Sequence, residues 1–115
     1  MKLITLNGRS MTLKFGLLSL RAMERDMGIS FPQMIEAING GRVGIDILLS
    51  IIWAGLLWEN RDLTVEQVGE WLDKESGENL ETIMSTATNE FVASFDHLLV
   101  KPNKESEKDG KKEKN

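Results

Sequence analysis

Few side chains in this sequence could do chemistry, and their arrangement does not suit catalysis. His97 is the single histidine, and cysteine is absent, so the chain has neither a thiolate nucleophile nor the histidine and cysteine ligands of a typical zinc site. His97 follows Asp96 near the predicted end of a helix, where a protonated imidazole interacts favourably with the helix dipole. We therefore expect no catalytic residue, no bound metal and no cofactor.

Several carboxylates could in principle act in pairs as general acid and base: Glu24, Asp26, Glu36, Asp46 and Glu59. No motif places two of them in one cleft, so we interpret them as parts of solvated helix faces. Asp46 lies near the start of a predicted helix. An exposed carboxylate there complements the helix dipole and requires no functional explanation.

Residues 40–44 read Gly-Gly-Arg-Val-Gly and superficially resemble a phosphate-binding loop. They lack the lysine and serine of a Walker motif, and no predicted strand precedes them. We interpret this segment as a break between helices. The sequence as a whole therefore predicts a protein that is not an enzyme.

Length and charge predict one acidic domain followed by a basic tail. The 115 residues are 41% hydrophobic, which is enough for one compact core, and we assign residues 1–100 to it. Residues 101–115 contain six Lys, three Glu and one Asp, so they carry a net charge of +2, which leaves −6 on residues 1–100. An acidic domain repels phosphate backbones, so we expect no binding to nucleic acid.

The apolar segments of the sequence indicate where in the cell the protein is expected. The apolar start of the chain is interrupted by the polar Asn7-Gly8 dipeptide, whereas a signal peptide needs a longer apolar stretch. The most apolar segment, residues 45–58, is shorter than the roughly 20 residues of a membrane-spanning helix. We expect a soluble cytoplasmic protein that does not associate with membranes.

The elements that would position any functional residue begin with a β-hairpin at residues 2–15. Asn7-Gly8 accepts the positive φ angles of a type I′ turn, and this turn sets the register of the two strands. Leu6 should then face Arg9, and Ile4 should face Met11. One face of the hairpin becomes apolar and can pack on helices.

The remaining periodicity predicts five helices. Residues 30–33 and 64–67 each begin with Ser or Thr and end with Gln, which is the pattern of a capping box. The third helix is apolar on nearly all sides and should lie at the centre of the fold. The predicted fold is thus mainly α, with an N-terminal hairpin and a disordered Lys/Glu-rich tail at 101–115. The predicted helices span about 17–27, 30–39, 43–58, 64–75 and 78–99.

Large apolar residues are the candidates for contacts with another protein. Trp is enriched among interface anchors, and two of the three tryptophans lie near the end of a helix or on a surface-type helix, whereas Trp53 should be in the core. The fifth helix carries a long apolar stripe suited to packing on the body or on a partner helix. The predicted partner-binding residues are Trp58, Trp71, Ile83, Met84, Phe91 and Phe95.

Four motifs resemble one known family. Residues 13–16 read Leu-Lys-Phe-Gly at the end of the hairpin, and 18–30 read Leu-Ser-Leu-Arg-Ala-Met-Glu-Arg-Asp-Met-Gly-Ile-Ser. Residues 52–56 read Ile-Trp-Ala-Gly-Leu, and 63–68 read Leu-Thr-Val-Glu-Gln-Val. Over roughly residues 1–95, this order is similar to that of the tail assembly chaperones of long-tailed, siphovirus-type bacteriophages and prophages.

The resemblance implies a role that composition and periodicity do not reveal. Chaperones of this family bind the hydrophobic tape measure protein, keep it soluble and help to recruit the major tail tube protein. They act in the host bacterial cytoplasm and are absent from the mature virion. By resemblance, these two proteins are the expected partners of this chain.

Two alternatives remain open from sequence. One is a small structural subunit of a phage head–tail connector, which would be found in purified virions. The other is a helical regulatory protein, against which the acidic body and the lack of a basic recognition helix argue. In each case we expect a homo-oligomer, because a domain this small with a long apolar helix has more apolar surface than it can readily hide alone.

Overall fold

The computed structural model describes residues 1–96 as an N-terminal β-hairpin followed by five helices, so the predicted mainly α class is confirmed. The predicted end of the last helix at 97–99 and the predicted disordered tail at 101–115 lie outside the described residues. The elements are β1 (Lys2–Leu6), β2 (Arg9–Leu13), α1 (Leu17–Met27), α2 (Phe31–Asn39), α3 (Ile45–Leu56), α4 (Val65–Asp73) and α5 (Gly77–Phe95).

The hairpin has the register that the Asn7-Gly8 turn predicts. Strands β1 and β2 are antiparallel, with Leu6 opposite Arg9 and Ile4 opposite Met11. Asn7 and Gly8 have φ angles of 57° and 73°, the left-handed conformation that a type I′ turn requires at both central residues. The predicted apolar face is turned inward, and its buried members are Ile4, Leu6 and Leu13.

Both predicted capping boxes are present. Ser30 Oγ accepts a hydrogen bond from the Gln33 N–H at 3.3 Å, and Gln33 Oε1 accepts one from the Ser30 N–H at 2.8 Å. Thr64 and Gln67 make the same reciprocal pair at 3.1 and 3.0 Å. These bonds satisfy N–H groups that the first turns of α2 and α4 cannot satisfy themselves.

Replacing Ser30 with alanine should therefore lower the free energy of unfolding by about 1 kcal/mol. The substitution removes the acceptor of the Gln33 N–H and leaves the rest of α2 unchanged. Urea denaturation followed by circular dichroism measures the change. Ser85→Ala, at an exposed position inside α5, is the matched control and should not lower stability. Equal losses in the two variants would contradict a specific role for the cap.

Helix α3 lies at the centre of the fold, as its apolar composition predicts. It contacts α1, α4, α5 and β2, and Ile51, Ile52 and Ala54 are fully buried. Near its end, the Gly55 carbonyl accepts a hydrogen bond from the Lys14 N–H at 2.9 Å. A Cβ atom at Gly55 would lie only 2.7 Å from Leu13 Cδ2, so the glycine allows the hairpin to approach α3 this closely.

Four phenylalanines from different parts of the chain meet in the core: Phe15, Phe31, Phe91 and Phe95. Phe91 contacts the other three rings, with centroid distances of 5.6, 6.1 and 5.2 Å and edge-to-face geometry. Such pairs add to the free energy of burial. This cluster joins the segment after the hairpin, α2 and α5.

Polar contacts also join the hairpin to α5 and to Glu75, which lies just before it. Asn79 Nδ2 donates a hydrogen bond to the Thr5 carbonyl at 3.1 Å, and the Asn7 N–H donates one to Glu75 Oε2 at 3.0 Å. An isolated two-stranded hairpin is marginal in water. Here it is stabilised by packing on α3 and α5.

Candidate interaction surfaces

Three of the six predicted partner-binding residues lie in the core. Ile83, Phe91 and Phe95 are at most 2% exposed, and the two phenylalanines belong to the aromatic cluster. A partner cannot contact these side chains while α5 is packed on the body. The apolar stripe of α5 therefore serves mainly to close the core, which is one of the two roles that its periodicity allowed.

The other three predicted residues reach the surface to different extents. Met84 and Trp71 are half-buried, and the Arg9 guanidinium carbon lies 6.0 Å from the centroid of the Trp71 ring. Trp58 is 40% exposed. Trp53, predicted in the core, is partly buried against it and donates an indole hydrogen bond to the Leu63 carbonyl at 2.8 Å.

Trp58 forms part of a surface groove between the start of α1 and the residues that follow α3, which we call the Trp58 groove. Its volume is about 280 Å³, and it is lined by Leu18, Ser19, Leu57, Trp58 and Arg61. Trp58 Nε1 donates a hydrogen bond to the Thr12 carbonyl at 3.0 Å, and Lys14 Nζ lies 5.0 Å from the ring centroid. These contacts fix the indole while leaving part of it open to a partner.

Sequence reasoning missed two exposed leucines at the start of α1, of which Leu18 lines this groove. Leu17 and Leu18 are 69% and 72% exposed at the start of α1. Leu18 precedes the buried Leu20 by two positions, which places the two side chains on opposite sides of a helix. That spacing could have indicated an exposed Leu18. Large apolar side chains grouped in this way are typical of protein interaction sites.

A second groove lies where α3 begins, between α4 and α5, and we call it the acidic groove. Its apolar lining includes Ile45, Leu49, Leu80 and Met84, and its acidic lining consists of Glu66, Glu70 and Asp73. Ile45, Leu49 and Glu66 also line an adjoining recess that contains Asp26 and Asp46. Asp46 is exposed in the first turn of α3, as predicted.

The grooves lie at opposite ends of α3, whose 12 residues span about 18 Å. Within residues 1–96, no group of three acidic, histidine or cysteine side chains could hold a metal ion, and no helix is both long and apolar enough to cross a bilayer. The geometry thus provides two grooves with apolar parts that a protein could cover.

Comparison of the sequence with protein-family models and curated proteins, and of the fold with solved structures, gives no match.

Proposed function

We propose that this protein is a phage tail assembly chaperone that binds and solubilises the tape measure protein and helps to recruit tail tube subunits. The four motifs that resemble this family suggest the role. The observation that carries it is the Trp58 groove with the exposed Leu17 and Leu18, a hydrophobic surface on a small helical body. A chaperone for an apolar helical client needs such a surface and no active site.

The groove has the chemical character that this task requires. Leu18 and Leu57 offer aliphatic surface, and the Trp58 indole offers a large flat face. Trp is enriched among the residues that dominate binding energy, because it buries a large area with few rotatable bonds. Arg61 lines the groove and Lys14 lies over the Trp58 ring, and because both are exposed their charges keep the uncovered groove hydrated.

The test is co-expression of the tape measure protein with the native chain or with Leu18→Glu. Because Leu18 is 72% exposed, the substitution should leave the fold intact. An apolar client that covers a carboxylate at position 18 must desolvate it, and pairing with Arg61 in the same groove offsets this cost only in part, so binding should weaken by about 2 kcal/mol, which is about 30-fold. The measurement is the soluble fraction of the tape measure protein, with circular dichroism as the check on folding.

Ser85→Glu adds the same charge at an exposed position of α5 and is the control. If Leu18→Glu and Ser85→Glu solubilise the client equally well, the Trp58 groove is not the client site. If the native chain does not solubilise the client at all, the chaperone function itself is refuted. Mass spectrometry of purified virions distinguishes the connector alternative, since a chaperone should be absent from them.

A further inference from the structure

The acidic groove leaves apolar surface uncovered at a second place on the protein. Ile45 is 61% exposed at the first position of α3, and Leu49, Leu80 and Met84 beside it are half-buried. These side chains come from α3 and α5 and meet along the open face of α4. Covering this surface would bury aliphatic area that the described fold leaves in contact with water.

The charges around the groove specify what kind of surface could cover it. Glu66, Glu70 and Asp73 are spaced by four and then three residues, so they lie along one face of α4. No basic residue of the described chain lines this groove. A neutral or acidic partner would have to desolvate these carboxylates without compensation, whereas lysine or arginine at its margin would pair with them.

Gly69 provides an independent indication of close contact. It is at the middle of α4, where glycine costs about 1 kcal/mol relative to alanine. Packing against other parts of the described fold does not explain it, because a Cβ atom at this position would have nothing within 4 Å apart from its chain neighbours and the backbone of α4 itself. Gly69 lines the groove, between Glu66 and Glu70 on the same helix face. The missing side chain leaves room for another backbone to approach α4.

We propose that the acidic groove binds an amphipathic helix of a partner protein, with aliphatic residues on one face and Lys or Arg along its margins. The acidic face of α4 from Glu66 to Asp73 is about 10 Å long, which matches two turns of a helix. Helices commonly bind in this way through anchors at helical spacing. A second copy of this chain is the poorer occupant of this groove, since residues 1–100 carry a net charge of −6 and would bring further acidic charge to an acidic lining.

The probe for this site is a synthetic peptide of about 14 residues with leucine at helical spacing and lysine beside it. Binding to the full chain is measured by fluorescence anisotropy. Gly69→Trp fills the groove, and Glu66→Lys with Glu70→Lys reverses its charge; each should weaken binding at least about tenfold. The matched controls are Ala93→Trp and the double substitution Glu36→Lys with Glu59→Lys, at exposed positions outside both grooves, and they should bind as the native chain does.

Three results would overturn the proposal. The first is unchanged binding to Gly69→Trp when circular dichroism shows a native fold. The second is an equal loss in the double control Glu36→Lys with Glu59→Lys and in the double reversal, because both change the net charge by the same amount and the effect would then be one of overall charge. The third is equal binding of a peptide with the sequence of residues 101–115, whose six lysines lack aliphatic neighbours, because the apolar lining would then contribute nothing.

Light scattering tests whether a second copy of this chain occupies the acidic groove. If the native chain self-associates and Gly69→Trp alone makes it monomeric, the groove belongs to a second copy and the proposal of a basic partner helix is wrong. If Gly69→Trp leaves the oligomeric state unchanged while the peptide no longer binds, the proposal is supported. These outcomes do not depend on Leu18 or on the tape measure protein, so this site and the chaperone function can fail separately.

Discussion

Phe91→Ala is expected to lower the free energy of unfolding by about 3–5 kcal/mol. Phe91 is fully buried and contacts Phe15, Phe31 and Phe95. Truncation removes the free energy gained by burying the ring. It also leaves a cavity, because the surrounding helices and the segment after the hairpin cannot move together enough to fill it. A domain of this size has about 5–15 kcal/mol of stability, so this loss is a substantial fraction of the total.

Urea denaturation followed by tryptophan fluorescence and circular dichroism measures this change. Leu17→Ala, at a position that is 69% exposed, is the control and should change stability by no more than about 0.5 kcal/mol. A loss below about 1 kcal/mol for Phe91→Ala would be inconsistent with the aromatic cluster. Phe91 is one of the predicted partner-binding residues, but it is fully buried. A charge introduced there by Phe91→Glu would unfold the domain, so this substitution could not test client binding.

The second large effect is expected at the contact between the hairpin and α3. Gly55→Val should destabilise the protein by about 1–3 kcal/mol, because the new side chain would overlap Leu13 and Phe15. A Cβ atom alone would lie 2.7 Å from Leu13 Cδ2 and 2.8 Å from Phe15 Cζ. Helix propensity works in the opposite direction, since valine is better than glycine inside a helix by less than about 1 kcal/mol.

Gly69→Val is the matched control for this prediction. Both glycines are inside helices, but a Cβ at Gly69 has open space in front of it. Its stability should therefore stay constant or rise by a few tenths of a kcal/mol. Hydrogen exchange of residues 2–13 supplies a second measurement, because Gly55→Val should loosen the hairpin specifically. If both variants lose the same stability, the close approach at Gly55 is not the cause.

The local features of this fold could be predicted because they depend on neighbouring residues. Asn7-Gly8 determines the turn and hence the strand register, and the Ser30–Gln33 and Thr64–Gln67 pairs determine where α2 and α4 begin. Gly28 ends α1 in the left-handed conformation, with a φ angle of 71°. In each case a few adjacent side chains restrict the backbone to one conformation.

The interaction surfaces could not be predicted in the same way. Periodicity indicates that one side of α5 is apolar, but the same pattern fits a core face and a partner face. Phe91 and Phe95 are covered by Phe15 and Phe31, which are distant in sequence. The acidic groove has the same origin, because Ile45, Glu70 and Met84 come together only when three helices pack.

The contacts between the hairpin and α5 impose an order on folding during synthesis. The Thr5 carbonyl accepts a hydrogen bond from Asn79, and the Asn7 N–H donates one to Glu75. The two residues of each pair are 74 and 68 positions apart in the sequence. Among the described elements, α5 is synthesised last. Contacts between residues that are far apart in the sequence also form slowly. Phe15 and Phe31 therefore cannot complete their contacts with Phe91 and Phe95 until residue 95 has left the ribosome. A chain that stops earlier cannot complete the core.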